Sequence, residues 1–353
     1  MMTSVLFRVD AGPVVGLGHL QRCLSLAGTL GRHGARSVFL TNQELAAQER
    51  VTRFGYEVHA LHQTRSWDAG DLAQTIALAR AEQCQAVVVD SDHEGADYLE
   101  QLRSAGLWVG AIDDLASHPF PCQLVVNGDA NAAALPYVSS AGDTVWLLGP
   151  DYAMLREEFW SVPQRVVREA PQNLLVMLGG DDPHHLMPEI LQMLDTVPGS
   201  CAITAVIGPF FTRIEEVESV AARPAHPIRV VRDPDSVCSV MMEADLAISA
   251  GGQTLYELAR VGCPGVAIET AANQAGQMRA LHDAGIIRAI GRAEHLQIIE
   301  QVAGAARELL PDAPRRQQMS RAGQQLIDGQ GALRVARALL ERSRQAAVQG
   351  VSL

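Results

Sequence analysis

The sequence predicts an α/β protein of two lobes, each built on a parallel sheet that helices cover on both sides. The chain has 353 residues, which is too long for one ordinary hydrophobic core and suits two. Short apolar runs alternate with stretches of helical periodicity along most of the chain, and this alternation is typical of parallel sheets. In addition, each half contains a glycine-bearing turn between an apolar run and a helix, at 16–18 and at 251–252.

The first lobe is predicted to span residues 1–158. Its first strand is 4–10, a loop follows at 11–18, and a helix runs from 19 to about 32, because Leu20, Leu24 and Ala27 repeat on one face. Further strands are expected at 37–40, 57–61, 86–90, 107–112 and 124–127, with helices near 69–82 and 95–105. Ligands of such sheets bind at the carboxyl ends of the strands. The residues predicted at these ends are Asp10, Gly16, His19, Asp90, Asp92, His93, Asp113 and Asp114.

A histidine begins the first predicted helix, on a loop where Gly16 and Gly18 allow a close approach to a ligand. The segment is not a dinucleotide fingerprint, because Gln21 stands where the third glycine is required. The positive end of the helix dipole disfavours imidazolium, so we expect a neutral His19 ring, the form that a general base needs. Asp10 is the candidate for orienting that ring. The alternative is a histidine that only caps or packs the turn.

Two pairs of carboxylates follow neighbouring predicted strands. Asp90 and Asp92 end one strand, and Asp113 and Asp114 end the next. Such pairs can carry out acid and base chemistry or bind a metal ion, and they can equally cap the helices that follow, which is their commoner use. The sequence leaves these alternatives open.

Residues 159–172, rich in Pro, Arg and Glu, are predicted to form a linker, and 173–353 to form the second lobe with the C-terminal helices. Strands are expected at 173–178, 202–207, 228–231, 246–249, 265–268 and 287–290. The first of these ends in Gly179 and Gly180, a turn that can admit a ligand close to the backbone.

The most informative stretch is 249–258, where a short buried strand passes through a glycine turn into a helix that Gly262 and Pro264 terminate. Free amides at a helix start carry partial positive charge, and a diphosphate suits them. The residues expected to contact a nucleotide are Gly251 and Gly252, the side-chain donors Ser249, Gln253 and Thr254, and the ribose acceptor Glu257. The alternative is a βα turn whose glycines serve packing alone.

Composition limits the class of protein. The net charge of −12 argues against a nucleic-acid or anionic-membrane partner. The chain contains no lysine, which excludes Schiff-base chemistry and the phosphate-binding lysine of P-loop proteins. Its six cysteines show no metal-ligand spacing and suit reduced core thiols, and no apolar run reaches membrane-spanning length. We therefore expect a cytoplasmic protein without a signal peptide, a membrane anchor, a metal ion or a cofactor.

The two lobes, the glycine–histidine loop and the glycine-rich phosphate turn resemble the GT-B nucleotide-sugar enzymes, whose lobes are Rossmann-like. The likeness is closer to the PseG-like UDP-sugar hydrolases of the pseudaminic acid pathway, and it spans nearly the whole chain. The segments that carry it are 8–10, 16–19, 112–114, 148–159, 179–182, 249–257, 273–274 and 328–331. The resemblance implies a nucleotide site in the cleft between the lobes and hydrolysis of UDP-2,4-diacetamido-2,4,6-trideoxy-β-L-altropyranose or a close relative.

The resemblance also implies roles for individual residues. His19 would activate the attacking water, Asn273 would be the active-site asparagine, and Gln274 would adjoin the nucleotide, which the glycine turn at 251–252 would hold. This sequence departs from the family at Asp92, where a tyrosine is common; an acid there changes hydrogen bonding and charge near the sugar. Two other hypotheses stay open: a GT-B glycosyltransferase that uses a UDP-sugar donor, and a nucleotide-sugar-binding protein without catalysis.

Overall fold

The computed structural model describes residues 3–348 except 14, 63–65, 196–200, 223–226 and 235. The chain forms two compact units. The first comprises Met1–Glu157 together with Gln330–Leu353, and the second comprises Glu158–Gly329.

The first unit is built on a seven-stranded parallel sheet. Its strands are β1 (Ser4–Val9), β2 (Arg36–Thr41), β3 (Glu57–Ala60), β4 (Ala86–Asp90), β5 (Trp108–Ile112), β6 (Leu124–Asn127) and β7 (Val145–Leu148). Its helices are α1 (Gly18–Arg32), α2 (Leu45–Arg53), α3 (Ala69–Ala81), α4 (Ala96–Ser104) and the C-terminal helix Gly331–Val348. The spatial order is β3-β2-β1-β4-β5-β6-β7, so the order reverses between β1 and β4. A crevice at such a reversal is where open α/β sheets bind ligands.

The second unit repeats this plan with a six-stranded parallel sheet. Its strands are β8 (Asn173–Met177), β9 (Ala202–Ile207), β10 (Ile228–Arg232), β11 (Leu246–Ala250), β12 (Gly265–Glu269) and β13 (Ile287–Arg292). Its helices are α5 (Leu186–Leu194), α6 (Ile214–Ala221), α7 (Val237–Glu243), α8 (Thr254–Val261), α9 (Ala275–Asp283), α10 (Ile298–Leu309) and α11 (Ala313–Leu326). The order β10-β9-β8-β11-β12-β13 reverses between β8 and β11. The predicted fold of two parallel-sheet α/β lobes is therefore confirmed.

The C-terminal helix, α12 (Gly331–Val348), departs from the predicted division of the chain. We expected 173–353 to form the second lobe, but α12 packs against α1 and belongs to the first unit. Its buried face carries Val335 and Leu339, both without exposure to solvent. Because apolar burial and not chain order determines where a helix packs, the division could not be deduced from position in the sequence.

The segment 159–172 is also more than a linker, because it belongs to the second unit. Arg165 is 9% exposed and donates to the backbone carbonyls of Met241, Met242, Ala244 and Val261. Those carbonyls lie at the ends of α7 and α8, where helices leave acceptors unpaired. The guanidinium therefore ties the segment to both helix ends.

The structure also bears on the oxidation state of the cysteines and on membrane-spanning helices. All six cysteines are free thiols, and five of them are buried, which agrees with the expectation of reduced core thiols. Over the described ranges, no helix combines the length and the apolar character needed to cross a bilayer.

Candidate active site

A buried histidine–aspartate pair lies where the strand order of the first sheet reverses. His19 is in the first turn of α1, which follows β1, and Asp90 is the last residue of β4. His19 Nδ1 lies 2.6 Å from Asp90 Oδ1, and the two residues are 9% and 1% exposed. A carboxylate only accepts hydrogen bonds, so we assign the Nδ1 proton to His19, which leaves the Nε2 lone pair free.

Asp90 is held by three further donors. Arg22 donates from Nε to Oδ2 at 2.8 Å and from Nη2 to Oδ1 at 2.6 Å, and Cys23 Sγ lies 3.3 Å from Oδ2. Burial on its own would raise the pKa of Asp90, but the charges of Arg22 and His19 outweigh it and lower the pKa well below its ordinary value. Asp90 is therefore an ionised partner for the imidazole.

The pKa of His19 shifts in the direction opposite to the one expected from the helix dipole. Burial lowers the pKa of His19 and the Arg22 charge lowers it too, yet the Asp90 charge and hydrogen bond raise it above the ordinary value of 6.5 overall. The helix dipole considered from sequence is thus outweighed by a carboxylate at 2.6 Å. A raised pKa makes Nε2 a stronger proton acceptor.

The prediction that Asp10 orients His19 is wrong, because Asp10 has another partner. Its Oδ1 accepts from Arg8 Nη1 at 2.5 Å. Arg8 is fully buried, donates to Asp71 from Nε at 2.9 Å and from Nη2 at 2.7 Å, and stacks 4.1 Å above the Trp67 ring. Asp10 therefore belongs to a charged network beneath the site.

Two more carboxylates, those of Asp92 and Asp114, lie near the His19 ring. Asp92 Oδ2 lies 3.9 Å from Nε2, which is too far for a direct hydrogen bond, and Asp114 Oδ1 accepts from Arg22 Nη1 at 2.6 Å. Burial raises the pKa of Asp92, with a further contribution from the Asp114 charge. One potential ligand atom from each of His19, Asp92 and Asp114 lies within 4.8 Å of the others. The sequence showed no such set because its members come from three different elements.

Two further acids near the strand ends, Asp113 and Glu94, are buried. Asp113 Oδ2 accepts from the amides of Leu115 and Ala116 at 2.9 and 2.7 Å and from the Tyr137 hydroxyl at 2.7 Å, so it stabilises the turn after β5, from which the described chain continues to β6 without a helix for it to cap. Glu94 was not predicted; it is 4% exposed, and burial raises the pKa of its carboxyl well above the ordinary value. The sequence indicates Glu94 only through its position, four residues after the end of β4.

The loop before α1 is closed on itself. Gly12 and Gly16 exchange backbone hydrogen bonds of 3.2 and 2.7 Å, and Gly16 has φ +79°, a conformation that favours glycine. A Cβ atom at Gly16 or Gly18 would meet nothing within 4 Å. These two glycines therefore border open space next to His19.

In the second unit, both predicted glycine turns lie at the reversal of strand order. Gly179 and Gly180 follow β8, and Gly251 and Gly252 follow β11, which pairs directly with β8. Gly179 has φ +92°. The structure thus brings together two turns that lie about 70 residues apart in the sequence, at the edge where a nucleotide is expected.

The side chains around the 251–252 turn differ in how far they are exposed to solvent. Ser249 is fully buried and donates to the Ala250 carbonyl at 3.0 Å, so its expected role as a ligand donor does not fit. Gln253 precedes α8, Thr254 begins it, and both are half-buried. Glu257, in the first turn of α8, is 4% exposed.

The turn at 272–274 and the start of α9 pack against the glycine turn at 251–252. A Cβ atom at Gly251 would lie 2.8 Å from Met278 Cγ and 2.9 Å from Gln274 Oε1, so these two side chains would have to move to admit it, whereas one at Gly252 would have ample room. Gln274 Oε1 accepts from the Thr270 amide at 2.9 Å, so this oxygen, expected near substrate, stabilises its own turn. Asn273 lies in the same turn, half-buried.

Comparisons with known proteins give distant matches. No protein-family model matches the chain. The chain is 24% identical over 270 residues to an uncharacterised protein of Methanocaldococcus jannaschii, and this match covers 73% of this chain and 54% of that protein. It is 28% identical over 198 residues to the spore coat polysaccharide biosynthesis protein SpsG of Bacillus subtilis, and this match covers 55% of this chain and 58% of SpsG. The chain thus spans little more than half the length of these two relatives. It is 23% identical over 256 residues to the UDP-2,4-diacetamido-2,4,6-trideoxy-beta-L-altropyranose hydrolase of Campylobacter jejuni (72% and 87%).

Solved structures resemble the chain over nearly its whole length. The crystal structure of Acinetobacter baumannii MurG has a TM-score of 0.68 at 16% identity and covers 96% of this chain and 99% of its own. The S. aureus MnaA–UDP structure has a TM-score of 0.67 at 13% identity, with 96% of both chains covered. At such identities the likeness concerns the fold, and the fold of this chain is that of the GT-B glycosyltransferases.

Proposed function

We propose that this protein hydrolyses a UDP-linked deoxyamino sugar to UDP and the free sugar, with His19 as the general base. The observation that carries the proposal is the His19–Asp90 pair at the strand-order reversal of the first sheet. The substrate would be UDP-2,4-diacetamido-2,4,6-trideoxy-β-L-altropyranose or a close relative, as the match to the Campylobacter hydrolase suggests.

The pair supplies what a general base requires. Nε2 takes a proton from water while the water oxygen bonds to the anomeric carbon, and the imidazolium that forms is stabilised by Asp90 at Nδ1. The C–O bond to the diphosphate breaks, and its electrons leave with UDP. Because the base activates water and the water itself attacks the anomeric carbon, the proposed displacement is direct and inverts the configuration.

We assign the nucleotide to the turns after β8 and β11. The amides of Leu255, Tyr256 and Glu257 already donate to the carbonyls of Gly252 and Gln253, so we propose that the diphosphate contacts the glycine turn at 251–252 that precedes them. Glu257 is the proposed ribose acceptor and Asn273 a proposed active-site residue.

Replacing Glu257 by Ala should weaken UDP binding by about 1–3 kcal/mol, and unchanged affinity in a folded variant would remove Glu257 from the site.

The second candidate is a glycosyltransferase, which the fold supports equally. In that case the base would take its proton from an acceptor hydroxyl and not from water. A binding protein without catalysis is a third hypothesis, in which His19 is structural. Measuring UDP release from a panel of UDP-sugars, with and without acceptors, distinguishes the three.

The decisive experiment combines a variant with an isotope. His19→Asn should reduce turnover by about 10²–10⁴-fold while UDP still binds. In ¹⁸O-water the label should enter the free sugar and not UDP. Label in UDP would mean attack at phosphorus, and full activity of His19→Asn would remove the proposed base.

A further inference from the structure

We propose that His19, Asp92 and Asp114 form a binding site for a divalent transition-metal ion of the Zn²⁺ type, and that the bound ion inhibits the enzyme. Metal binding itself is independent of the proposed function, whereas inhibition rests on it, because the ion would occupy the nitrogen that acts as the base. The free enzyme would carry out hydrolysis without the ion.

The donor set has the chemistry and spacing of a metal site. One nitrogen and two carboxylates lie within 4.8 Å of one another, and His19 Nε2 is 3.9 Å from Asp92 Oδ2. Ligand atoms in a tetrahedral zinc site are about 3.4 Å apart, given bonds of about 2.1 Å, so small side-chain movements would close the set. An imidazole among the ligands favours Zn²⁺ over Mg²⁺.

A second observation, independent of that spacing, is the partner on the other ring nitrogen. Metal-bound histidines commonly donate their second N–H to a carboxylate, which fixes the tautomer and raises ligand basicity. Asp90 Oδ1 lies 2.6 Å from His19 Nδ1 and is itself held by Arg22, so Nε2 is already presented as a ligand.

Local charge favours a cation in spite of Arg22. The guanidinium bonds one oxygen of Asp114 and both of Asp90. A carboxylate oxygen has capacity for more than one partner, so Asp114 can still ligate. The carboxyl groups of Asp90, Asp92 and Asp114 outnumber this single guanidinium around the His19 ring. A divalent cation would offset this excess of acidic groups.

The test is calorimetric titration of Zn²⁺ into the EDTA-treated full-length protein. Asp92→Asn and Asp114→Asn should each weaken Zn²⁺ binding at least tenfold, and Mg²⁺ should bind far more weakly. His93→Asn is the matched control, because His93 is an exposed histidine beside Asp92 that would account for adventitious binding. The control should leave the affinity unchanged.

Activity gives the second readout. Zn²⁺ should inhibit UDP-sugar hydrolysis by the wild type, and Asp92→Asn should lose that inhibition relative to its own metal-free rate. An absence of Zn²⁺ binding, equal binding by all variants, or stimulation by Zn²⁺ would overturn the proposal. If Zn²⁺ binds as described but no hydrolysis occurs in EDTA with any UDP-sugar, the metal site stands and the proposed function fails.

Discussion

A buried network of charged and polar side chains around Asp71 links strand β1 to helix α3 in the first unit. The Asp71 carboxylate accepts from Arg8, from Thr75 Oγ1 at 3.1 Å and from the Tyr98 hydroxyl at 2.9 Å, and both Arg8 and Asp71 are fully buried. Desolvation makes such a pair costly to form, yet removal of one partner leaves an uncompensated charge. The network thereby fixes β1 to α3 below the histidine loop.

Asp71→Asn should therefore destabilise the protein by about 3–5 kcal/mol, because the fully buried Arg8 would lose its two-point partner and keep only Asp10 as a counter-ion. Tyr98→Phe removes only one hydrogen bond to the same carboxylate and should cost about 1 kcal/mol. Urea unfolding followed by fluorescence compares the two variants. Equal losses would show that the charge of Asp71 is not what matters.

A pH dependence is expected at Asp181, in the turn after β8. Burial, followed by the charge of Asp182, raises the pKa of Asp181 from 3.8 to about 6. The folded state therefore holds this proton more tightly than the unfolded state, so the stabilisation is complete below about pH 3.8 and is lost as the pH rises through about 6. At pH 7.5 the folded protein carries an unfavourable charge there.

Asp181→Asn should raise the melting temperature by about 1–3 °C at pH 7.5 and by less at pH 5, since the half-buried carboxyl is partly screened. Asp182→Ala is the contrasting variant: Asp182 accepts from the amides of Leu186 and Met187 at the start of α5, so its loss should lower stability by about 1 kcal/mol. A benefit of Asp181→Asn that is the same at both pH values would contradict the linkage.

At the scale of elements, the two glycines after β11 serve different purposes. A methyl group at Gly251 would collide with Met278, whereas one at Gly252 has its nearest neighbour, Gln274 Nε2, at 3.7 Å. Both lie in one turn, so they form a matched pair for separating packing from ligand binding.

Gly252→Ala should leave stability nearly unchanged and weaken UDP binding about tenfold, because the methyl group would stand where the diphosphate approaches the turn. Gly251→Ala should instead cost about 1–3 kcal/mol of stability through overpacking. Thermal unfolding and calorimetry with UDP give both quantities. Wild-type affinity in Gly252→Ala would mean that the turn does not contact the nucleotide.

The helices and strands were predicted from the sequence more accurately than the contacts of the site. The strands 86–90 and 202–207 were predicted at their observed limits, and Gly262 ends α8 with φ +68°, as a glycine stop should. Helix α2 was missed, because it has only nine residues and buries only Ala47 and Val51. Local patterns report local structure, and a helix of fewer than three turns offers few positions from which a period can be identified.

The site was less predictable, because its contacts depend on strand order. His19 and Asp90 are 71 residues apart, and Asp10 was the nearer acid along the chain. Only the placement of β4 beside β1, which no local pattern encodes, brings Asp90 to the ring. The choice between Asp10 and Asp90 was thus outside the reach of the sequence.

At the scale of the whole molecule, the C-terminal helix is predicted to be essential to the unit that carries His19. A chain ending at residue 329 lacks α12 and should expose the α1 surface that this helix covers. We expect proteolysis within 1–157 to accelerate at least tenfold while UDP affinity stays nearly unchanged. Leu339→Ala is a milder variant that should cost about 2–5 kcal/mol. Unchanged protection of 1–157 would show that α12 is dispensable.

The way the chain leaves the first unit at 157 and returns to it at 330 has a consequence for its synthesis. A ribosome that adds about 5–20 residues per second needs roughly 10–35 s to pass from one point to the other. During that interval the whole second unit emerges and has time to fold, while the first waits with one face of α1 uncovered. The nascent first unit is therefore the stage at which a chaperone would be needed, and slow codons placed before 330 would lengthen that exposure.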